Sequence, residues 1–449
     1  MSAFSPFDAP TTPISQVEAT TPITPPGKAR GSLGVLSGWR APQHRDGMAL
    51  VLSSALTSAI GLLYWVVAAR LFDHATVGLN SAAISAMTLL GTAGHLNLGN
   101  AMLRFVPIAG PFARRLVRRC NAAALLAAAT FGLVFVLGAD LWASDLLEAV
   151  GRPALFLFFV VSTPVWTLFV LQDSTLPAIG RATAVPVKNL VFSVLKIILL
   201  GVAAWMGTAS GIAVSWVIGT VLCVVGVSLW LARVMPPGPP PGTRAESPVG
   251  MREVAGFVRY DYAGNVCWQV AVFGLPLVVL ALSGPEAAGT YNITWQIAFA
   301  LYLVVNGMGQ SLVAHNAADP AGLHAAVRSM VVKALTLLIP AVVVVVPGAY
   351  LLLSLFGDEY ARTGSLLLAL LALSAIPNVI TQTTVWTARV QRKGMVQVAL
   401  PASLAALVIS GTCLLMPSLG LTGAGVAWLG AQTLLAVIIL IHRWLSRRR

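Results

Sequence analysis

Charged residues are scarce in this chain. Lys, Arg, Asp and Glu make up 10% of its 449 residues, whereas soluble domains carry about a quarter. Hydrophobic residues make up 57% of the chain, and the mean hydropathy is +0.84. So few charges cannot cover the surface of a soluble protein of this size, and the composition therefore excludes a water-soluble fold.

Cysteines and nucleotide-binding motifs are equally sparse. The four cysteines, Cys120, Cys223, Cys267 and Cys413, fall in or beside apolar segments and lack the paired spacing of a metal site. We expect free thiols and neither a metal nor another cofactor. The sequence contains no GxxxxGKS/T phosphate-binding loop, which argues against ATP hydrolysis by this chain.

Long apolar segments make up most of the sequence. Many approach or reach the roughly 20 residues that span the hydrocarbon core as a helix, and short polar connections separate them. They predict an all-α polytopic membrane protein with about twelve transmembrane helices. The predicted helices cover approximately residues 48–72, 76–106, 119–139, 153–174, 183–206, 210–233, 258–283, 286–316, 331–355, 362–388, 394–416 and 421–445.

Basic residues give the chain a formal net charge of +13, and they cluster in alternate loops. Arg114, Arg115, Arg118 and Arg119 follow the second predicted helix, for example, whereas the loops between such clusters carry most of the acids. This alternation is the positive-inside pattern. It predicts a cytoplasmic-membrane protein with both termini in the cytoplasm, anionic membrane lipids as partners of the basic loops, and no nucleic-acid partner.

Two polar segments divide the chain. Residues 1–47 are rich in Pro, Thr and Ser, which predicts a disordered cytoplasmic tail. Residues 235–252 begin with MPPGPPPGTRAESP, which predicts a semi-stiff cytoplasmic linker. The linker separates an N-terminal lobe over 48–234 from a C-terminal lobe over 253–449, each with six predicted helices.

The two lobes share short sequence motifs. Residues 75–80 (ATVGLN) recur as 286–292 (EAAGTYN), and 97–103 (NLGNAML) recur as 306–312 (NGMGQSL) at nearly the same offset. Together with the equal number of helices, these motifs predict two pseudo-symmetric six-helix lobes. Repeats of this kind place a substrate path between the lobes.

Polar side chains form stripes on the predicted second, seventh and eighth helices, where a lipid-facing position would be costly. We predict a hydrated central cavity, with ring faces and amides that bind substrate; the alternative is that these groups are hydrogen-bonding contacts between packed helices. The second helix carries Ser81, Ser85, Thr88, Thr92 and His95, with Asn97 beyond them. The candidate binding residues of the other two are Asp261, Asn265, Gln269, Asn292, Trp295, Gln296, Tyr302, Asn306 and Gln310, with Phe299 beside them.

Two cations complete the predicted site. Lys196 sits near the middle of the fifth helix, where an intramembrane charge costs at least ~2.5 kcal/mol without a cavity, an anion or a partner. We predict that Lys196 and Arg104 attract an anionic headgroup such as a diphosphate. The alternatives are an ion pair of Lys196 with Asp173 or Asp261, and extension of Arg104 to the membrane interface.

Three segments carry a resemblance to a known family. They are 69–78 (ARLFDHATVG), 96–107 (LNLGNAMLRFVP) and 355–360 (LFGDEY). The sequence resembles the multidrug/oligosaccharidyl-lipid/polysaccharide exporter superfamily, and within it the polysaccharide biosynthesis branch of O-antigen flippase-like proteins. That resemblance covers residues 46–445 and implies a two-lobe, twelve-helix flippase. Its implied cargo is a lipid-linked oligosaccharide, and its implied partners include polysaccharide-assembly proteins.

Other functions remain open from the sequence. An ion-coupled drug or small-solute antiporter would have the same overall design. A cation-coupled exporter needs a carboxylate in the N-terminal half, and only Asp173, at a helix end, offers one there. A membrane glycosyltransferase or polymerase is less compatible, because the predicted outer loops of about ten residues are short for a catalytic surface. The aligned polar stripes argue against an inert scaffold, and we therefore predict a transporter and not an enzyme.

Overall fold

The computed structural model describes residues 60–235, 250–316 and 322–446, with side chains omitted at 252, 256–260, 310, 311 and 313–316. Every regular element in these ranges is a helix. The predicted tail over 1–47 and most of the predicted linker, 236–249, lie outside the described residues, and the lobe boundary therefore stays a prediction.

The N-terminal lobe contains the first six membrane crossings. Its helices are α1 (Ile60–Leu71), α2 (His74–Gly94), α3 (Leu98–Phe105), α4 (Ala113–Leu137), α5 (Ala139–Trp142), α6 (Ser144–Val150), α7 (Arg152–Ala178), α8 (Ala184–Trp205) and α9 (Gly211–Val234). A single 3-10 turn, Gly110–Phe112, precedes α4.

The C-terminal lobe contains the other six crossings. Its helices are α10 (Met251–Gln269), α11 (Leu275–Asn316), α12 (Leu323–Ser354), α13 (Asp358–Val390), α14 (Gly394–Leu419) and α15 (Thr422–Ser446). A π-helical turn, Val270–Gly274, joins α10 to α11. Gly284 has non-helical backbone angles (φ 78°, ψ −176°) and divides α11 into the end of one crossing and the whole of the next.

Nine apolar helical stretches within the described residues are long enough to cross a membrane. One of them, Asp261–Gly309, contains two crossings because it runs through Gly284. The described part of α1 and the polar pair α2–α3 account for the remaining two. The predicted all-helical fold with about twelve transmembrane helices in two lobes is confirmed.

The second crossing is broken, although the sequence predicts one helix over 76–106. Leu96 and Asn97 have left-handed backbone angles (φ 51° and 54°), which end α2 and start α3. Asparagine tolerates this conformation better than most residues. At the other end, the Asp73 carboxylate caps α2 by accepting a hydrogen bond from the Thr76 backbone N–H, and the bonds from Thr76 hold the pKa of that carboxyl below its usual value.

Two short helices, α5 and α6, were not predicted. They lie between α4 and α7, where Arg152 forms an ion pair with Asp140 at 2.6 Å and donates to the carbonyl of Val136. The Arg152 guanidinium holds the pKa of the Asp140 carboxyl below its usual value.

The four cysteines are free, but only Cys120 and Cys223 are buried.

The lobes meet along a seam in which α2 packs against α11. Gly78 of α2 and Gly289 of α11 lie at the crossing, and a Cβ atom at Gly78 would overlap the carbonyl of Pro285. A Cβ atom at Gly289 would come within 3.1 Å of the carbonyl oxygen of His74. The glycines of the first repeated motif therefore contact each other's helix, because only glycine allows the two backbones to approach this closely.

This close approach predicts opposite effects for two glycine-to-alanine substitutions. G61A adds a methyl group where no atom lies within 4 Å, so better helix propensity should raise the melting temperature or leave it unchanged. G78A should lower it, since the overlap with Pro285 forces the helices apart at a cost of about 1–3 kcal/mol. Thermal unfolding of the purified variants in detergent measures both effects, and equal shifts for the two variants would contradict the close packing of the seam.

Candidate functional site

The first polar cluster of the seam surrounds His74 at the start of α2. His74 Nε2 lies 2.8 Å from Thr290 Oγ1, and His74 Nδ1 lies 3.3 Å from Glu359 Oε1. Arg70 donates hydrogen bonds to the carbonyl oxygens of Ser354 and Leu355 at 2.8 and 3.0 Å. We call Arg70, His74, Thr290 and Glu359 the His74 cluster. It connects α1 and α2 of one lobe with α11, α13 and the end of α12 of the other.

The second polar cluster surrounds Asp261 near the break between α2 and α3. Asn97 and Asn100 donate hydrogen bonds to Asp261 Oδ2 at 2.6 and 2.9 Å. Arg389 Nε lies 3.0 Å from Asp261 Oδ1. We call Asn97, Asn100, Asp261 and Arg389 the Asp261 cluster. A carboxylate of one lobe thus binds two amides of the other.

The two clusters lie at opposite ends of the seam. From His74 to Asn97 the chain advances 23 residues, mostly along α2, and a helix of that length measures about 34 Å. The hydrocarbon core is about 30 Å thick. Each cluster therefore lies near one membrane face, and in this conformation polar contacts join the lobes at both faces.

Four predicted amides lie along α10 and α11 beyond the cluster residues. Asn265 and Gln269 follow Asp261 at i+4 and i+8, about 40° and 80° around α10, and this spacing predicts that they turn toward the other lobe. Asn292 and Gln296 follow Gly289 at i+3 and i+7, on the face of α11 that meets α2.

These amides have unused hydrogen-bonding capacity. Asn265, Gln269 and Gln296 are half-buried, and their side chains make no hydrogen bond to any described residue. Asn292 is buried, and its amide nitrogen has no partner in the described part of the chain. Amides placed in this way can bind the hydroxyl groups of a polar ligand once the seam opens.

Trp295 and Tyr302 point away from the seam, into the C-terminal lobe. Trp295 packs against Trp428 with ring centroids 4.6 Å apart. The Tyr302 hydroxyl lies 2.6 Å from Ser374 Oγ and accepts a hydrogen bond from Trp428 Nε1 at 2.6 Å. Both rings are buried in this conformation, so their predicted contact with sugar rings requires repacking of the lobe core.

Asn306 and Arg104 lie outside the two clusters. Asn306 is half-buried and lies about 100° around α11 from the face that carries Gly289. Arg104 is exposed near the end of α3, with its guanidinium 5.4 Å from the Phe105 ring centroid. The side chain of Gln310 is outside the described residues.

Lys196 lies inside the N-terminal lobe, within an aromatic cage. Its Nζ atom is 4.1, 4.5 and 5.1 Å from the ring centroids of Trp216, Tyr64 and Phe192. The side chain is buried, and no described carboxylate pairs with it. Ring faces attract an ammonium by about 0.5–2 kcal/mol each, so the cage partly replaces the lost hydration.

The ion pair predicted as the alternative for Lys196 is wrong, since both candidate acids bind other cations. Asp173 Oδ1 lies 2.7 Å from Lys188 Nζ. Asp261 pairs with Arg389. Lys188 also donates to the carbonyl oxygen of Phe169 at 2.6 Å, which holds it inside its own lobe.

The sequence did not single out six residues of the two clusters: Arg70, His74, Thr290, Asn100, Glu359 and Arg389. A signal for four of them was available, because the segments 69–78, 96–107 and 355–360 that carry the family resemblance contain Arg70, His74, Asn100 and Glu359. All three segments meet at the seam. Arg389 had no such signal, because it reads as one more basic residue in a basic loop.

Comparisons with known proteins find similarity in structure alone. No protein-family model matches this sequence, and no curated protein matches it significantly. The inward closed structure of the lipid II flippase MurJ is similar, with a TM-score of 0.71 and 11% identity over 88% of this chain and 87% of the flippase.

Multidrug transporters are similar as well. An inward-facing multidrug resistance MATE family transporter of the MOP superfamily has a TM-score of 0.66 and 14% identity over 87% of this chain and 94% of the transporter. An outward-facing structure of a multidrug resistance MATE family transporter has a TM-score of 0.59 and 14% identity over 88% and 92%. The chain therefore shares its fold with these transporters.

The aromatic cage predicts an energetic coupling between Lys196 and Trp216. In a double-mutant cycle of K196M and W216L, the loss of thermal stability caused by W216L should shrink by about 0.5–2 kcal/mol once the ammonium is absent. W166L is the matched control, since Trp166 belongs to the same ring group, 6.0 Å from Trp216, without contacting Lys196. Additive effects of K196M and W216L would contradict the cage as a source of stability.

Proposed function

We propose that this chain is an alternating-access transporter of the MOP superfamily that flips a polyprenyl-diphosphate-linked oligosaccharide across the cytoplasmic membrane, for the assembly of a cell-surface polysaccharide. The observation that carries the proposal is the seam with a polar cluster near each membrane face. Contacts that can break separately at the two faces are what a rocking carrier needs, because each state must expose the same site to one side.

The Asp261 cluster is the cytoplasmic gate in this proposal. The positive-inside pattern places the end of α3 and the basic residues that follow it in the cytoplasm. When Asp261 releases Asn97 and Asn100, the cargo sugar enters the seam, while the prenyl tail stays in the bilayer. Asn265, Gln269, Asn292 and Gln296 then bind the sugar hydroxyls.

The diphosphate meets cations at the same end of the seam. Arg389 becomes exposed when the cluster opens, and Arg104 stands near the end of α3, so both can attract an anionic headgroup. The roles predicted for Lys196, Trp295, Tyr302, Asn306 and Gln310 remain part of the proposal only for a conformation in which the cage and the lobe core rearrange.

The ion pair of Asp173 with Lys188 favours a flippase over a cation-coupled drug exporter. This carboxylate is the best candidate for binding an organic cation, but Lys188 already neutralises it at 2.7 Å. The seam offers amides, which suit hydroxyl groups, and the carboxylates of its two clusters already have partners: Asp261 pairs with Arg389, and Glu359 lies against His74. The likeness to multidrug transporters keeps drug export as the alternative.

The two clusters predict opposite conformational shifts. With the native cysteines replaced, spin labels at Ile108 and Gln391 report on the Asp261 end, and labels at Leu141 and Leu419 on the other end; all four positions are exposed. In pulsed electron paramagnetic resonance, D261N should lengthen only the first distance, since it removes the charge that binds Arg389 and the two asparagines. E359Q should lengthen only the second.

D140N is the control for these measurements. It removes a carboxylate about as exposed as that of Glu359, and the ion pair of Asp140 with Arg152 lies within one lobe, so neither distance should change. If D261N lengthened both distances equally, or neither, the clusters would not be separate gates.

A flipping assay tests the cargo. Proteoliposomes containing the full chain receive a polyprenyl-diphosphate-linked trisaccharide with a fluorophore on its terminal sugar, and a membrane-impermeant reductant bleaches the outer-leaflet fluorophore. The wild-type protein should make nearly all of the label bleachable, and the double variant Q269A/Q296A should slow bleaching at least tenfold at equal protein level. Export of ethidium without movement of the lipid-linked sugar would overturn the proposal in favour of a drug exporter.

A further inference from the structure

A groove outside the seam runs along the lipid-facing surface of the N-terminal lobe. It lies between α8 and α9, beside the end of α7, and has a volume of about 580 Å³. Val187, Val191 and Leu195 line one wall, and Leu222 lines the other. Val187, Val191 and Leu222 are each more than half exposed, so the groove opens toward the acyl chains and not toward the seam.

The groove has the length of one membrane leaflet. Its lining on α8 extends from Ala184 to Leu195, which corresponds to about 16 Å of helix, or about half of the hydrocarbon core. Gly226 of α9 leaves the groove open, because no atom lies within 4 Å of the place where a Cβ would be. The shape suits one extended acyl chain.

One end of the groove is cationic. Arg181, in the turn between α7 and α8, lines it together with Thr183 and Lys188. Lys188 is already bound to Asp173 and to the carbonyl oxygen of Phe169. Arg181 is exposed and makes no ion pair or side-chain hydrogen bond within the described ranges, so its guanidinium is available to an anion.

The same end carries features typical of a membrane interface. The half-buried ring of Trp230 lines the groove on α9, and tryptophan prefers the level of lipid headgroups. Thr183, the residue before α8, lines the same end, and its side chain makes no capping hydrogen bond to α8.

A second groove of the same lobe provides the contrast. It has a volume of about 660 Å³ and lies between α2, α6, α7 and α9. Leu157, Val161 and Ile218 line it and are exposed to lipid, but no Lys or Arg does. An apolar tail could enter either groove, whereas only the first combines such a tail with a fixed positive charge.

We propose that the groove between α8 and α9 is a specific site for an anionic glycerophospholipid, with one acyl chain along α8 and the phosphate at Arg181. A single-leaflet groove is too short for the long tail of a polyprenyl carrier, which argues that the site is distinct from the cargo path. Basic pockets between transmembrane helices commonly bind anionic headgroups. The site does not depend on the proposed function, since any protein with this surface would carry it.

The test is lipid binding by native mass spectrometry on the purified full chain in detergent. The probes are phosphatidylglycerol and phosphatidylcholine with identical chains, and undecaprenyl phosphate. Phosphatidylglycerol should bind as one molecule per chain, with a Kd about tenfold below that of phosphatidylcholine. R181Q should remove this preference by weakening phosphatidylglycerol at least fivefold while leaving phosphatidylcholine unchanged.

Two matched variants separate the groove from general lipid contact. G226L fills the groove and should weaken both phospholipids, whereas G201L adds the same side chain to an exposed position on α8 that also has free space, and should have no effect. R328Q removes an exposed arginine of the other lobe and should leave the preference intact. Melting temperatures within about 2 °C of the wild type, the shift expected for about 2 kcal/mol in a chain of this length, show that each variant is folded.

Three results would overturn the proposal. The first is equal affinity of the chain for the two phospholipids. The second is a loss of the preference in R328Q that is as large as the loss in R181Q. The third is that undecaprenyl phosphate binds more tightly than phosphatidylglycerol and that G226L abolishes this tighter binding. The last result would assign the groove to the polyprenyl tail of the cargo.

Discussion

Hydrocarbon offers no hydrogen bonds, so each polar group carried into the membrane must be satisfied by the protein or by water. The seam between the lobes depends on this constraint. Asp261 is tolerable there because Asn97, Asn100 and Arg389 surround it, and His74 because Thr290 and Glu359 do. When such contacts break, the groups need water or a ligand in their place, and the opening of the seam is therefore coupled to what enters it.

The same constraint explains the cations that lie away from the seam. Lys188 is buried against Asp173 and a backbone carbonyl, and Lys196 against three aromatic rings. Arg181 has no such partner among the described residues and lies at the surface, where a lipid phosphate can take that role. A buried cation thus does not by itself indicate a ligand-binding site, because protein groups can stabilise it. A surface cation beside an apolar groove indicates a ligand that combines an anionic group with an apolar chain.

In the proposed mechanism, separate polar contacts at the two membrane faces make the seam a two-state element. Close packing of α2 on α11 at Gly78 and Gly289 allows the helices to pivot on a backbone contact, with no large side chain between them. Polar contacts break over short distances, unlike an extended apolar interface. A modest difference in affinity for a bound ligand between two such states is enough to shift which end is closed.

Composition and periodicity determined the fold class. Apolar length locates helices directly, because spanning the hydrocarbon core requires it, while the shared face of Asp261, Asn265 and Gln269 on α10 stays a prediction from their spacing i, i+4, i+8. The break at Asn97 and the short helices α5 and α6 escaped prediction, since local turn conformation has little effect on hydropathy.

Which polar residues share a site was decided by the tertiary structure. From the sequence, Lys196 and Asp261 are both charges with a high free-energy cost inside the membrane. In the structure, aromatic rings enclose Lys196 inside one lobe, whereas Asp261 joins the two lobes. Periodicity gives the angle of a side chain around its own helix, but not the neighbour that this angle meets. That neighbour depends on how twelve helices pack, and a glycine such as Gly78 influences it through the absence of a side chain.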